Sequence, residues 1–251
     1  MNKTQKPLRY LGPLLQADFI TLLRNRRAVL VSILLPLALL FASGNQKAQY
    51  SRGGSIVIMV LAVTLGLLSL AIMGYASSVS RDRERGVFQR LRVTPAPTWT
   101  IMVSRLLVQV VVGFVIAVAV LIIGSRMNHV ALNGGEYANT VLVAILESAL
   151  FLSIAQALVG LVKSAAMVNS LGSLLFVALA LCGLWGISGT LGSGFQMFAR
   201  WTPVGTVIPI FQSALHQVPW NADITLCLCG CIGYIAVCLV IGIKWFKWEA
   251  R

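Results

Sequence analysis

The chain has 251 residues, of which 58% are apolar and only 11% charged, with a formal net charge of +13 and a mean hydropathy of +0.86. A water-soluble domain carries about a quarter charged residues, so this chain lacks the polar surface to face water, and most of its outside must face lipid. Its basic residues sit at the ends of apolar runs and are not interleaved with aromatic residues. That pattern argues against nucleic-acid binding and for topology signals and contacts with the anionic bilayer.

In residues 1–27, Leu8, Leu11, Leu15, Phe19 and Leu22 recur at helical spacing, with Arg9, Asp18, Thr21, Arg24 and Asn25 outside that stripe. The pattern predicts an amphipathic helix in the cytoplasmic interface; a tail helix packed on a soluble partner is the alternative. Apolar runs of spanning character follow at about 28–43, 55–78, 101–124, 140–162, 165–187 and 224–246. The first is short and holds Pro36. It reads as an uncleaved span, because 27 residues with six positive charges precede it, long for a signal peptide whose apolar core it would otherwise be. The expected fold is therefore all-α, a polytopic membrane protein with six transmembrane helices. Residues 1–27 form a cytoplasmic amphipathic helix and 28–251 a single transmembrane domain.

Six spans divide the cationic residues unequally. Fifteen fall on the side of both termini: Lys3, Lys6, Arg9, Arg24, Arg26, Arg27, Arg81, Arg83, Arg85, Arg90, Arg92, Lys163, Lys244, Lys247 and Arg251. Four fall on the other: Lys47, Arg52, Arg126 and Arg200. The positive-inside rule then places both termini in the cytoplasm. Arg105, one turn inside the third span, is expected to snorkel toward the same side.

The loop 79–100 joins the second and third spans and concentrates charge in a chain otherwise nearly without it: five arginines and two acids lie in residues 81–92. Gly86 breaks the charged run. Beyond it Phe88 and Leu91 share one face of a short helix, with Gln89, Arg90 and Arg92 around it and Pro95 and Pro97 ending it. A small apolar face ringed by arginine suits docking into a groove on a soluble partner. A mere positive-inside tether accounts for the arginines but not for Glu84, the glycine, the apolar anchors or the paired prolines.

Glu147 is the one acid inside an apolar run, seven residues into the fourth, about 10 Å from its outer end at 1.5 Å per residue. A carboxylate at that depth is a functional candidate. It is read as lining an export path, pairing with a polar group on a neighbouring helix, or carrying a proton near the outer interface. Gln156, nine residues on, lies on the opposite face. In the fifth run Gly172, Ala178, Gly183 and Gly186 permit close helix approach, either within the chain or between two copies. The outer segment 188–223 is nearly uncharged, is punctuated by Pro203, Pro209 and Pro219, and contains a stretch, 206–215, too apolar for a solvated loop and too short to span. It predicts short re-entrant helices. Cys227, Cys229 and Cys231 alternate around a helix without histidine or acid between them, so packing is expected and no metal.

Glu84-Arg85-Gly86, followed by Arg90-Leu91 and Thr94-Pro95, resembles the Glu-Arg/Lys-Gly…Arg-Leu…Thr-Pro signature of ABC-2 type permeases, in particular those of drug and antibiotic exporters. The likeness extends over the whole chain, from the amphipathic helix to the Gly/Pro-rich segment before the sixth span. It implies that Glu84, Arg85, Gly86, Arg90 and Leu91 lie on or beside a coupling helix against a nucleotide-binding subunit. With the loop reading, the candidate contact set is Arg83, Glu84, Arg85, Gly86, Phe88, Gln89, Arg90, Leu91 and Arg92. The resemblance further implies a dimer of permeases with two separate ATP-binding subunits, ATP and Mg being used by the partner, and export of an amphiphile across a bacterial inner membrane. No G-x-x-x-x-G-K-[ST] occurs, and the nearest candidate, Lys163-Ser164, lacks the glycine loop. A non-catalytic permease subunit without a cofactor of its own is therefore expected. An ion-coupled carrier or channel, or a membrane scaffold that transports nothing, are the alternatives.

Overall fold

The computed structural model describes residues 8–44, 52–88, 98–128, 130 and 132–245. Among these residues every regular element is helical: α1 (Leu8–Arg24), α2 (Arg26–Gly44), α3 (Arg52–Ser69), a π-helical segment (Leu70–Ala76), α4 (Ser77–Glu84), α5 (Thr98–Met127), α6 (Gly134–Leu161), α7 (Ala165–Ser188), α8 (Ser193–Arg200), α9 (Pro203–Ala214) and α10 (Ala222–Lys244). Five helices are long and apolar enough to cross a membrane, and the shorter apolar helix Val29–Ala42 stands where the first expected span lies.

The second apolar run has no polar face, and a helix of that kind belongs inside a bundle. α3, the π segment and α4 form one continuous rod at the centre, with Val63, Leu68, Tyr75 and Ala76 fully buried. α2, α5, α6, α7 and α9 all pack against it. The outer helices keep one apolar face outward: Leu142, Leu174 and Val240 are each more than 60% exposed, as side chains meeting lipid or another apolar surface must be. Pro36 removes the amide that would bond to the carbonyl of Ser32. That turn of α2 lies against Gly66 of α3, where a Cβ would come 3.2 Å from Pro36 Cγ and 3.3 Å from Ser32 O.

α6 begins before its apolar run does. Asn133 and Glu136 form a capping box, with the Asn133 amide donating to Glu136 Oε2 at 2.7 Å, and this cap starts the helix at Gly134. Glu147 consequently lies halfway along a 28-residue helix, deeper than its position in the apolar run indicates. Near its other end α6 crosses α10 at glycine: a Cβ on Gly160 would lie 3.0 Å from Gly242 O. In α7, Gly172, Gly183 and Gly186 face Ile72, Val204 and Ala199 of the same chain, so these three serve packing within the molecule, whereas Ala178 is exposed.

The segment 188–223 holds α8 and α9. Pro203 occupies the first turn of α9, where no amide is needed, and Thr202 Oγ1 caps the helix by accepting from Gly205 N at 3.1 Å. Pro209 lies inside α9, and Val204, Val207, Ile210 and Phe211 fill the core. On α8, Met197 and Phe198 are 70% and 62% exposed, an apolar surface at the edge of the bundle. Arg200 pairs with Asp223 at 3.2 Å and Tyr234 Oη donates to Trp201 O at 2.7 Å, fastening this hairpin to α10. Cys227 and Cys231, four residues apart, are buried; Cys229 is exposed. Cys231 Sγ donates to Thr206 Oγ1 at 3.2 Å.

Candidate functional site at the arginine-rich end of the central helix

α4 carries the central rod out of its apolar surroundings into a polar sequence, Ser-Ser-Val-Ser-Arg-Asp-Arg-Glu. Its last turns make three sets of contacts with the rest of the bundle.

The end of α6 leaves carbonyls that no helical amide can satisfy. Arg83 supplies the donors: Nη1 donates to Val159 O at 2.8 Å, and Nη2 to Val162 O at 2.6 Å and Lys163 O at 2.7 Å. A cation at a helix C-terminus also opposes the negative end of the helix dipole. Glu84 does the converse at the next helix, where its Oε1 accepts from Ala165 N, at the first turn of α7, at 2.6 Å. Two adjacent residues of α4 thus hold both sides of the 162–164 connection.

On the opposite flank Arg105 of α5 reaches Asp82 Oδ2 at 2.6 Å and Asp18 Oδ1 of α1 at 3.5 Å. Ser104 Oγ donates a short hydrogen bond to Asp18 Oδ2. The Arg105 guanidinium lies 4.9 Å over the Phe88 ring. Burial pushes the Asp18 carboxyl above the ordinary carboxylate value, opposed by the Ser104 hydrogen bond and the Arg105 charge. About two turns earlier on the rod, Tyr75 of the π segment donates to Gln156 Oε1 of α6 at 2.6 Å. π segments are uncommon and concentrate where a helix serves function; here one joins the apolar rod to its charged end.

α4 ends at Gly86, whose φ of +67° is a left-handed conformation that glycine adopts without strain. Glu84 and Arg85 are both exposed beside it. Arg83 is only 3% and Phe88 1% exposed, so the surface of this end is made by other residues. The expected partner contacts Gln89, Arg90, Leu91 and Arg92 lie outside the described residues.

Away from this end, Glu147 is wholly buried. Thr64 of α3 faces its carboxyl, and no other side chain among the described residues hydrogen-bonds to either oxygen. Thr64 is thus a polar group on a neighbouring helix beside Glu147, and no cation pairs with Glu147 among the described residues.

The family model described as ABC-2 type transporter matches residues 11–215, more than three quarters of the chain. The chain belongs to the ABC-2 type transporter family. It is a multi-pass membrane protein and the membrane component of an ABC transporter, a class that works with an ATP-binding subunit. The match opens within α1 and closes just after α9, leaving α10 outside it. Among curated proteins none matches the chain.

For an ABC-2 membrane subunit, the geometry gives the root of the 79–100 loop a mechanical character. Asp82, Arg83 and Glu84 each hold a different partner, so displacement of α4 pulls on α5, the end of α6 and the start of α7 together. Two expectations from the sequence change. Phe88 is not an outward anchor, because an aromatic ring under Arg105 in the core is better shielded there than on a loop. Asp18, placed outside the apolar stripe of α1, is not a water-facing residue, because Ser104 and Arg105 offer it partners within the bundle. The Arg83 and Arg105 contacts are likewise not legible in the sequence. Each joins residues tens of positions apart, and the sole sequence signal was a cation within a turn of an apolar run.

Proposed function

We propose that the chain is the permease half of an ABC exporter. Two copies form a pathway, two separate ATP-binding subunits dock at the arginine-rich loops on the cytoplasmic side, and an amphiphile leaves toward the outside. The observation that carries the reading is the three-way hold of Asp82, Arg83 and Glu84 at the root of that loop. A motor bound there biases the bundle only if it holds the loop differently in its two nucleotide states, and α4 is attached so that such a bias reaches α5, α6 and α7 at once. The docking surface is assigned to Arg85, Gly86, Gln89, Arg90, Leu91 and Arg92, with Arg83 and Phe88 bracing it from inside. Orientation rests on the fifteen-to-four distribution of cations.

In this scheme Glu147 and Thr64 lie on facing walls of the bundle and line the path in its open state. ATP and Mg are bound by the partner. The test is purification of the full chain with its ATP-binding partner in detergent. Reversal of charge at Arg85, Arg90 and Arg92 together should leave the chain in the membrane and abolish co-purification and substrate-stimulated ATP turnover. Transport that survives those changes would refute the reading.

A further inference from the structure

We infer that a polar cavity between α2, the π segment with α4, and α7 binds the anionic head of an amphiphile, with Arg81 as the recognising cation. The cavity has a volume of about 390 Å³, within the usual range for small-ligand sites. Its polar lining comes from one face of each bounding element: Asn25 at the α1–α2 junction, Ser77 and Arg81 four apart on α4, and Asn169 and Ser173 four apart on α7. Ile72 and Gly172 form its floor, where the rod and α7 approach so closely that a Cβ on Gly172 would meet Ile72 Cγ2 at 3.0 Å.

The charge in this cavity is unbalanced. Among the described residues no acid lines it, and none pairs with Arg81, which is half-buried. The two acids nearest in sequence are committed elsewhere, Asp82 to Arg105 and Glu84 to Ala165 N. A guanidinium partly withdrawn from water, without a carboxylate and surrounded by two amides and two hydroxyls, complements a phosphate or carboxylate and offers it a bidentate contact.

The occupant is an amphiphile and not a free anion because of what adjoins the polar wall. Val31, Ile72 and Met73 continue the lining as an apolar strip. On α7, Val177 lies one turn beyond Ser173 on the same side of the helix and is 49% exposed. A head at Arg81 therefore leaves its alkyl chain along α7, in the hydrocarbon. Calling that occupant the exported substrate rests on the exporter reading; its binding does not. Arg81 is two residues from the Arg83 hold, so occupancy bears on the same turn of α4 that the motor is proposed to move.

The test is calorimetric titration of the full chain, in a neutral detergent, with dodecyl phosphate. Binding should weaken about tenfold or more in Arg81→Gln and in Asn169→Asp, with Arg81→Lys recovering most of it and thermal unfolding unchanged in all three. Inorganic phosphate at equal concentration should not compete. Competition by phosphatidylglycerol would identify a bilayer lipid as a natural occupant, and its failure to compete a single-chain solute; both keep the site. Equal binding by wild type and Arg81→Gln, or equal competition by inorganic phosphate, would overturn it. Binding as described with no stimulation of the partner's ATPase would leave the site standing and remove dodecyl phosphate from the substrates of the proposed exporter.

Discussion

Three carbonyls at the end of α6 converge on one guanidinium, and that makes Arg83 unequal to its neighbours despite their similar sequence. Truncation of one member of a buried charged network costs about 3–5 kcal/mol, whereas an exposed substitution changes stability by about 0.5 kcal/mol or less. Arg83→Ala should therefore lower stability in denaturant by about 3 kcal/mol, and Arg85→Ala should leave it nearly unchanged. Equal losses from the two would show that the carbonyl contacts are not the source. Asp18 gives a prediction of opposite character. Its carboxyl is raised above 3.8 chiefly by burial, so docked α1 holds a proton that the undocked, hydrated helix releases. Docking then strengthens as pH falls from neutral through the raised value, and the gain saturates below 3.8, where both states are protonated. The protection of α1 amides, taken relative to their intrinsic exchange rate at each pH, should rise as pH falls from neutral, and Asp18→Asn should remove that dependence.

Between helices, contact distances at glycine decide what can change. A Cβ on Gly205 would fall 1.9 Å from Ala199 O, on backbone that cannot move aside, so Gly205→Ala should open the α8–α9 turn. Overpacking costs about 1–3 kcal/mol and more where the obstacle is rigid. Thermal unfolding and protease nicking near residues 199–205 check this, the tolerated control being Gly194→Ala, where nothing lies within 4 Å. This element scale is also where the sequence was most legible. Apolar length placed the long helices, Gly86 marked the end of the charged helix α4, and the 206–215 stretch anticipated a buried short helix. α6 starts six residues before its apolar run, because its capping box, Asn133 and Glu136, is polar and adds nothing to that run. The π segment had no signal at all, since the spacing of apolar residues is uninformative in a helix buried on every side. The clamp of Asp82, Arg83 and Glu84 was visible only as charge, because which acid meets which base depends on the bundle and not on spacing.

Across the whole molecule, one helix is enclosed and the others surround it, and the enclosed one ends in four consecutive charged residues, Arg81 to Glu84. α7 and α10 expose most of their outer faces, with Leu174 and Ile243 67% and 72% exposed, while the central rod is mostly buried inside the bundle. A signal that enters by that rod meets every neighbour, and one that enters elsewhere meets few. The most direct measurement is substrate-stimulated ATPase activity of the reconstituted complex carrying Arg83→Gln with Glu84→Gln. Because Arg83 acts inside the bundle and the exposed arginines remain, the subunits should still associate and hydrolyse ATP at the basal rate, while stimulation by substrate is lost. Full stimulation in that double variant would contradict transmission through the root of the loop.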